Sequence, residues 1–120
     1  MSGQADGGLE ALLDLDGYVL VLDESGNYWI KFIVKRVPAS PAKPHGLDYS
    51  LTLHGPRGER LVGFDNAHSA ARTRRGEPQD HKHRFEKAFP YSYLDAVSLL
   101  EAFWTEVDAV LKKRGLREDA

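Results

Sequence analysis

The apolar positions in the first third of the chain predict a β-hairpin. Residues 18–22 are β-branched and aromatic, and residues 28–37 alternate in part between apolar and polar side chains. Gly26 and Asn27 lie between these segments and tolerate the positive φ angles of short hairpin loops. On the second strand, the side chains expected to face the core are Ile30, Phe32 and Val34.

A second hairpin follows a proline-rich connection. Three prolines at three-residue spacing within residues 38–46 remove backbone donors, so we expect an extended surface loop there. Residues 49–54 alternate between apolar and polar side chains, as in a strand with one wet face, and residues 60–64 supply its partner. A fifth strand is expected at 81–85. The polar connection at 67–79 has a length typical of functional or disordered loops.

The last quarter of the chain predicts a long amphipathic helix. Apolar residues recur there at helical spacing, namely Leu94, Val97, Leu100, Trp104, Val107 and Leu111, with Phe103 and Val110 widening the stripe. Ser92 and Asp95 resemble a capping box, and Gly115 supplies a left-handed stop. A helix of about twenty residues is about 30 Å long. We therefore expect an α+β fold, in which this helix covers one face of a four- to five-stranded antiparallel sheet of two hairpins.

Composition indicates one small domain. The 120 residues suit a single domain over 1–120, in which the Gly-rich residues 1–8 are expected to be disordered and a short helix follows at 9–14. Without cysteine the chain has no disulfide, thiol nucleophile or thiolate metal site. The longest apolar run lies at 18–22, far below the roughly twenty residues of a membrane helix, and no leader pattern is visible. We expect a cytoplasmic protein without a membrane segment.

Charge is distributed unevenly along a chain whose net charge is −2. Residues 72–87 carry a charge of +3, and the other residues together carry −5. The excess includes the loop residues Arg72, Arg74 and Arg75, which favour a phosphate-bearing partner such as RNA. The same segment contains two of the five histidines. This asymmetry marks the segment as the place to look for function.

Two polar clusters flank the basic loop. The first contains Asp65 and His68, where the fourth strand runs into the loop. The second comprises five consecutive residues after the loop: Asp80, His81, Lys82, His83 and Arg84. If this segment is extended, the two histidines project from one face of the strand, and the two cations project from the other.

Three chemistries fit these clusters. Metal-free RNA cleavage needs a general base, a general acid and a cation for the phosphoryl oxygens. Histidine suits both proton transfers because its unperturbed pKa is about 6.5, Lys or Arg suits the third role, and no cofactor is required. The second chemistry is a divalent metal held by His81 and His83, with Asp65 or His68 as third ligand. The third is binding of phosphate or an acidic partner without reaction. A purely structural role, in which these side chains shape turns, also remains open.

The clusters resemble those of the TumE-type toxins of toxin–antitoxin systems. The likeness covers about residues 17–88 and rests on four segments: Asp48-Tyr49-Ser50-Leu51, the turn before Arg60, Phe64-Asp65-Asn66-Ala67-His68, and Asp80-His81-Lys82-His83. The resemblance implies a small cytoplasmic protein that inhibits growth until an antitoxin with a helix-turn-helix domain binds it.

Residue chemistry and resemblance together lead to one hypothesis and two alternatives. The hypothesis is the toxin of a type II toxin–antitoxin system that acts on RNA as a metal-independent ribonuclease. Its catalytic candidates are Asp65, His68, His81 and His83, and its candidates for binding phosphate or RNA are Lys82, Arg84, Arg72, Arg74 and Arg75. One alternative is a non-catalytic interaction module, compatible with a homodimer that buries the last helix. The other is a metal-dependent phosphodiesterase that uses Asp65, His81 and His83 as ligands.

Overall fold

Six antiparallel strands form a single sheet in consecutive order, and two helices pack on one of its faces. The computed structural model describes residues 8–41, 43, 45–66, 80–85 and 87–116. The elements are α1 (Leu9–Asp14), β1 (Val19–Val21), β2 (Trp29–Arg36), β3 (Leu47–His54), β4 (Arg60–Asp65), β5 (Asp80–Arg84), β6 (Lys87–Tyr91) and α2 (Ala96–Lys113). Residues 1–7 lie outside the described residues, so the disorder expected at 1–8 and the single domain over 1–120 stay predictions.

The sheet has one more strand than the four to five that were predicted. The α+β class, the antiparallel sheet and the C-terminal helix agree with the prediction. The missed strand is β6, which pairs with β5 at the edge of the sheet. It contains Pro90, which argues against a strand in a sequence, but an edge strand tolerates proline because one side of its backbone has no ladder partner.

The core lies between the helices and the alternate residues of β2, β3 and β4. On β2 the buried side chains are Ile30, Phe32 and Val34, as predicted. Phe103 of α2 packs edge-to-face on Phe32 and on Phe64, with both pairs of ring centroids 6.1 Å apart. Full burial of one such aromatic side chain contributes roughly 1.5–3 kcal/mol, and these contacts hold α2 across the centre of the sheet.

Helix α2 buries a different stripe from the predicted one in its first half. The N-cap is Asp95, whose Oδ1 accepts a hydrogen bond from the Ser98 N–H at 2.8 Å, so the helix begins after the expected Ser92 cap. Leu94 therefore lies outside the helix and is 77% exposed. The buried residues of α2 are Ala96, Leu99, Phe103, Val107, Val110 and Leu111. Both stripes have helical spacing, and the fit of Phe103 between the two sheet phenylalanines selects the observed one.

The opposite face of the sheet carries no helix within the described part of the chain, and we call it the open face. It is formed by alternate residues of the strands: Trp29, Lys31, Ile33 and Lys35 of β2, Ser50, Thr52 and His54 of β3, Arg60, Gly63 and Asp65 of β4, and His81 and His83 of β5. At one side the ring of Trp29 stacks on that of His54, with centroids 4.1 Å apart. Among the described residues, no helix combines the length and the apolar character needed to cross a bilayer.

Candidate functional site

The two polar clusters meet on the open face. Because β5 is extended, His81 and His83 project to the same side, and β4 places Asp65 directly opposite His81 in the ladder. His83 Nε2 lies 2.9 Å from Asp65 Oδ2, and the two side chains are only 17% and 14% exposed. The His81 and His83 rings have centroids 6.2 Å apart. The structure thus brings together Asp65, His81 and His83.

The contact with Asp65 gives His83 a defined protonation pattern. A carboxylate only accepts hydrogen bonds, so neutral His83 carries its proton on Nε2 and leaves the lone pair on Nδ1. Burial lowers the pKa of His83 below its ordinary value, although the Asp65 charge opposes this shift; the nearby Arg60 and His81 lower the pKa further. His83 is therefore a neutral imidazole at pH 7, which is the form a general base requires.

Lys82 and Arg84 are not brought together with the histidines. They point to the helix side of β5, where Lys82 Nζ lies 3.3 Å from Glu106 Oε2 and Arg84 Nη2 contacts Glu106 Oε1. Burial opposes ionisation of Glu106, but the hydrogen bonds from Arg84 and Lys82 bring its pKa below the usual value. The two cations expected to bind phosphate instead tie β5 to α2, because alternation sends them to the other face.

Arg60 occupies the open face in their place, and sequence reasoning did not identify it. In the β3–β4 pairing Leu53 faces Val62 but His54 faces Arg60, so Leu61 is an extra residue that forms a bulge. Without the bulge Arg60 would share the helix side with Val62. Its Nη1 instead lies 4.0 Å from Asp65 Oδ2. The adjacent apolar residues Leu61 and Val62 break the alternation of the strand, and this was the signal that could have indicated the bulge.

Asn66 anchors the end of β4 just after Asp65. Its side chain is buried, its Nδ2 donates to the Leu47 carbonyl at 2.6 Å, and its Oδ1 accepts from the Tyr49 N–H at 3.1 Å. Lys43 Nζ donates to the Asn66 backbone carbonyl at 2.7 Å. The amide side chain thus continues the β3–β4 ladder beyond the last strand residue, and it fixes the backbone that aims Asp65.

Asp80 anchors the start of β5 just before His81. It is almost fully buried on the helix side, where the Tyr49 hydroxyl donates to its Oδ2 at 2.5 Å. Burial raises the pKa of Asp80 above its ordinary value, while the Tyr49 hydrogen bond and the charges of His45, His81 and Lys43 oppose the shift. Burial also raises the pKa of Tyr49, with a further contribution from Asp80. Buried hydrogen bonds of Asn66 and Asp80 therefore fix the end of β4 and the start of β5, the two strands that carry the site.

Comparison with known proteins places this architecture in a family. The family model described as Toxin TumE matches residues 16–111, which include β1–β6 and most of α2. The chain belongs to the TumE toxin family. Membership implies an antitoxin partner. Searches of curated proteins and of solved structures gave no match.

Part of the predicted site of this TumE family member lies outside the described residues. That part comprises the loop 67–79 with His68, Arg72, Arg74 and Arg75. Within the described ranges, no three His, Asp or Glu side chains are arranged to hold a metal ion, and there is no cysteine. Of the alternative ligand set Asp65, His81 and His83, the first and the last are engaged in their mutual hydrogen bond.

Proposed function

We propose that this TumE family member is the toxin of a type II toxin–antitoxin system and cleaves RNA in the cytoplasm without a metal ion. An antitoxin with a helix-turn-helix domain would relieve its effect. The observation that carries the proposal is the Asp65–His83 pair beside His81, because it supplies an oriented base next to a second group able to transfer a proton. All three side chains lie on a face that the described helices leave open.

The proposed reaction uses the 2′-hydroxyl of the RNA as nucleophile. His83 Nδ1 takes the proton of this hydroxyl, and the 2′-oxygen forms a bond to the neighbouring phosphorus. The bond from phosphorus to O5′ breaks, and protonated His81 donates a proton to the leaving oxygen. The products are a 2′,3′-cyclic phosphate and a 5′-hydroxyl. Asp65 keeps the His83 proton on Nε2 and stabilises the imidazolium after proton transfer.

The loop between β4 and β5 supplies the remaining candidates. His68 is proposed as a further catalytic residue, and Arg72, Arg74 and Arg75 are proposed as RNA contacts, on the basis of residue type and of the charge of the segment. These roles rest on the sequence alone.

Growth inhibition provides the first test. The variant His81→Ala/His83→Ala, expressed in cells that lack the partner, should lose toxicity. His45→Ala is the matched control, because His45 packs against Tyr93 away from the open face. Equal toxicity of the double variant and the parent, at equal protein levels, would show that these histidines are not catalytic.

A purified reaction provides the second test. Single-stranded RNA should be cleaved in the presence of EDTA, and the fragments should end in cyclic phosphate. An otherwise identical strand with 2′-deoxyribose throughout should not be cleaved, because the nucleophile is missing. Cleavage that EDTA abolishes would favour the metal-dependent alternative, and cleavage of the deoxy strand would contradict the proposed nucleophile.

A second candidate function is a binding module, which could act as a homodimer. It is favoured by an open groove of about 630 Å³ between α1 and α2, lined in part by Val97, Leu100 and Trp104. These residues belong to the predicted apolar stripe: Val97 is exposed, and Leu100 and Trp104 are partly buried at the edge of the core. A dimer that persists at nanomolar concentration and is disrupted by Val97→Asp would support this function. A monomer at all concentrations would remove the homodimer.

A further inference from the structure

We infer that Arg60, the cation beside Asp65 on the open face, binds the phosphate group of a nucleic acid substrate. The inference rests on the proposed function, whose chemistry places negative charge on the phosphoryl oxygens. Lys82 and Arg84 cannot contact a ligand held by the histidines without leaving Glu106 and crossing the sheet. Within the described residues, Arg60 is the cation that the structure pairs with Asp65, at 4.0 Å.

Gly63 allows Arg60 to reach the histidines. A Cβ atom built on Gly63 would lie 3.1 Å from Arg60 Cδ, 3.5 Å from Arg60 Nε and 3.6 Å from His83 Cβ. The Arg60 side chain therefore occupies the space that a side chain at position 63 would fill. Because Gly63 is opposite His83 in the ladder, this places the arginine beside His83. A glycine in a strand interior often marks such a close approach, and here it leaves space for the Arg60 side chain beside His83.

The guanidinium is positioned to accept a second partner. Its 4.0 Å separation from Asp65 Oδ2 is longer than a hydrogen bond, so the pairing leaves the N–H donors of Arg60 available for phosphate oxygens. The side chain is 39% exposed, in contrast to the nearly buried Asp65. Arginine binds phosphate through two parallel N–H donors, a geometry that the point charge of lysine does not reproduce.

Electrostatics supply a direct readout of this role. Arg60 is one of the groups that lower the pKa of His83, together with burial and His81, whereas Asp65 raises it. A phosphate bound to Arg60 would neutralise the positive charge beside His83. The pKa of His83, measured from its imidazole NMR signals, should therefore rise when phosphate binds.

The test compares two positions for the phosphate-binding cation. Inorganic phosphate and a single-stranded oligodeoxynucleotide, which lacks the 2′-hydroxyl, are titrated into the full chain while the imidazole signals are followed. Three variants are compared with the parent: Arg60→Gln, the double variant Lys82→Gln/Arg84→Gln, and Arg57→Gln. Arg57 is the matched control, because it is 89% exposed in the β3–β4 turn and pairs with Glu59. Urea unfolding verifies that each variant is folded.

Arg60→Gln should weaken the binding of both probes at least tenfold, because it removes a charge-assisted bidentate contact. It should also abolish the phosphate-induced rise in the His83 pKa. The double variant and Arg57→Gln should stay within twofold of the parent. Retained affinity in Arg60→Gln, or a larger loss in the double variant, would overturn the inference.

Failure of this inference can be distinguished from failure of the ribonuclease proposal. If Arg60 controls phosphate binding but RNA is not cleaved, the inference stands as a binding site and the proposed reaction falls. If RNA is cleaved equally by the parent and by Arg60→Gln, the reaction stands and the assignment of Arg60 falls.

Discussion

Replacement of Asn66 by alanine should unfold the end of β4 at a cost that the structure allows us to work out. The substitution removes the acceptor of the Tyr49 N–H and the donor to the Leu47 carbonyl, and both backbone groups are buried. A buried polar group left without a partner costs about 1–3 kcal/mol. Two such groups, partly relieved by local rearrangement, predict a loss of about 2–4 kcal/mol in the free energy of unfolding.

Urea unfolding measures this loss. With an m value of about 2 kcal/mol per molar urea, the midpoint should fall by roughly 1–2 M without a change in m. Asn27→Ala, at an exposed asparagine in the β1–β2 turn, is the control and should shift little. A loss in Asn66→Ala that is no larger than in the control would refute the reasoning.

Three further predictions concern ionisation and backbone strain. The pKa of His83 is lowered in the folded protein. Neutral His83 therefore contributes to stability above about pH 6.5, and this contribution is lost as the pH falls through the pKa of the folded state. His83→Gln should remove this part of the pH dependence of urea unfolding. Asp80 has a raised pKa, so its favourable contribution is lost as the pH rises through the folded value. Asp80→Asn, which keeps an acceptor for the Tyr49 hydroxyl, should thus be at least as stable as the parent in urea at pH 7, and lower stability would contradict this account. Phe85 has a φ of 56°, a backbone conformation that is strained for a bulky residue. Phe85→Gly should stabilise the protein by about 1 kcal/mol and raise the midpoint of thermal unfolding accordingly. An unchanged or lower midpoint would argue against strain.

Local patterns predicted the centre of the sheet well, because alternation is a property of each strand by itself. The buried side of β2 agrees with the sequence, and the two histidines of β5 share a face as their spacing requires. The choice between two helical stripes in α2 was not local. It depended on the space between Phe32 and Phe64, which only the assembled sheet defines.

The candidate site was predictable only in part for the same reason. Residue type identified Asp65 and the histidines as chemically able groups, and alternation along an extended β5 already sends Lys82 and Arg84 to the other face. The sequence did not show that a bulge in β4 brings Arg60 to the face of the histidines. Lys82 and Arg84 lie next to the histidines in sequence and on the other side of the sheet in space. The buried hydrogen bonds of Asn66 to β3 could not be inferred from the sequence without the register of the two strands.

Because Leu61 forms a bulge, the side chains that line the open face depend on the number of residues in the β3–β4 hairpin. One extra residue after His54 would pair Leu61 with His54, remove the bulge and turn the guanidinium of Arg60 to the helix side, while every letter around Asp65 and His83 stayed the same. Relatives that align perfectly over those letters can therefore differ in this side chain. A one-residue insertion after the position of His54 is the difference to look for when TumE sequences are sorted into functional groups.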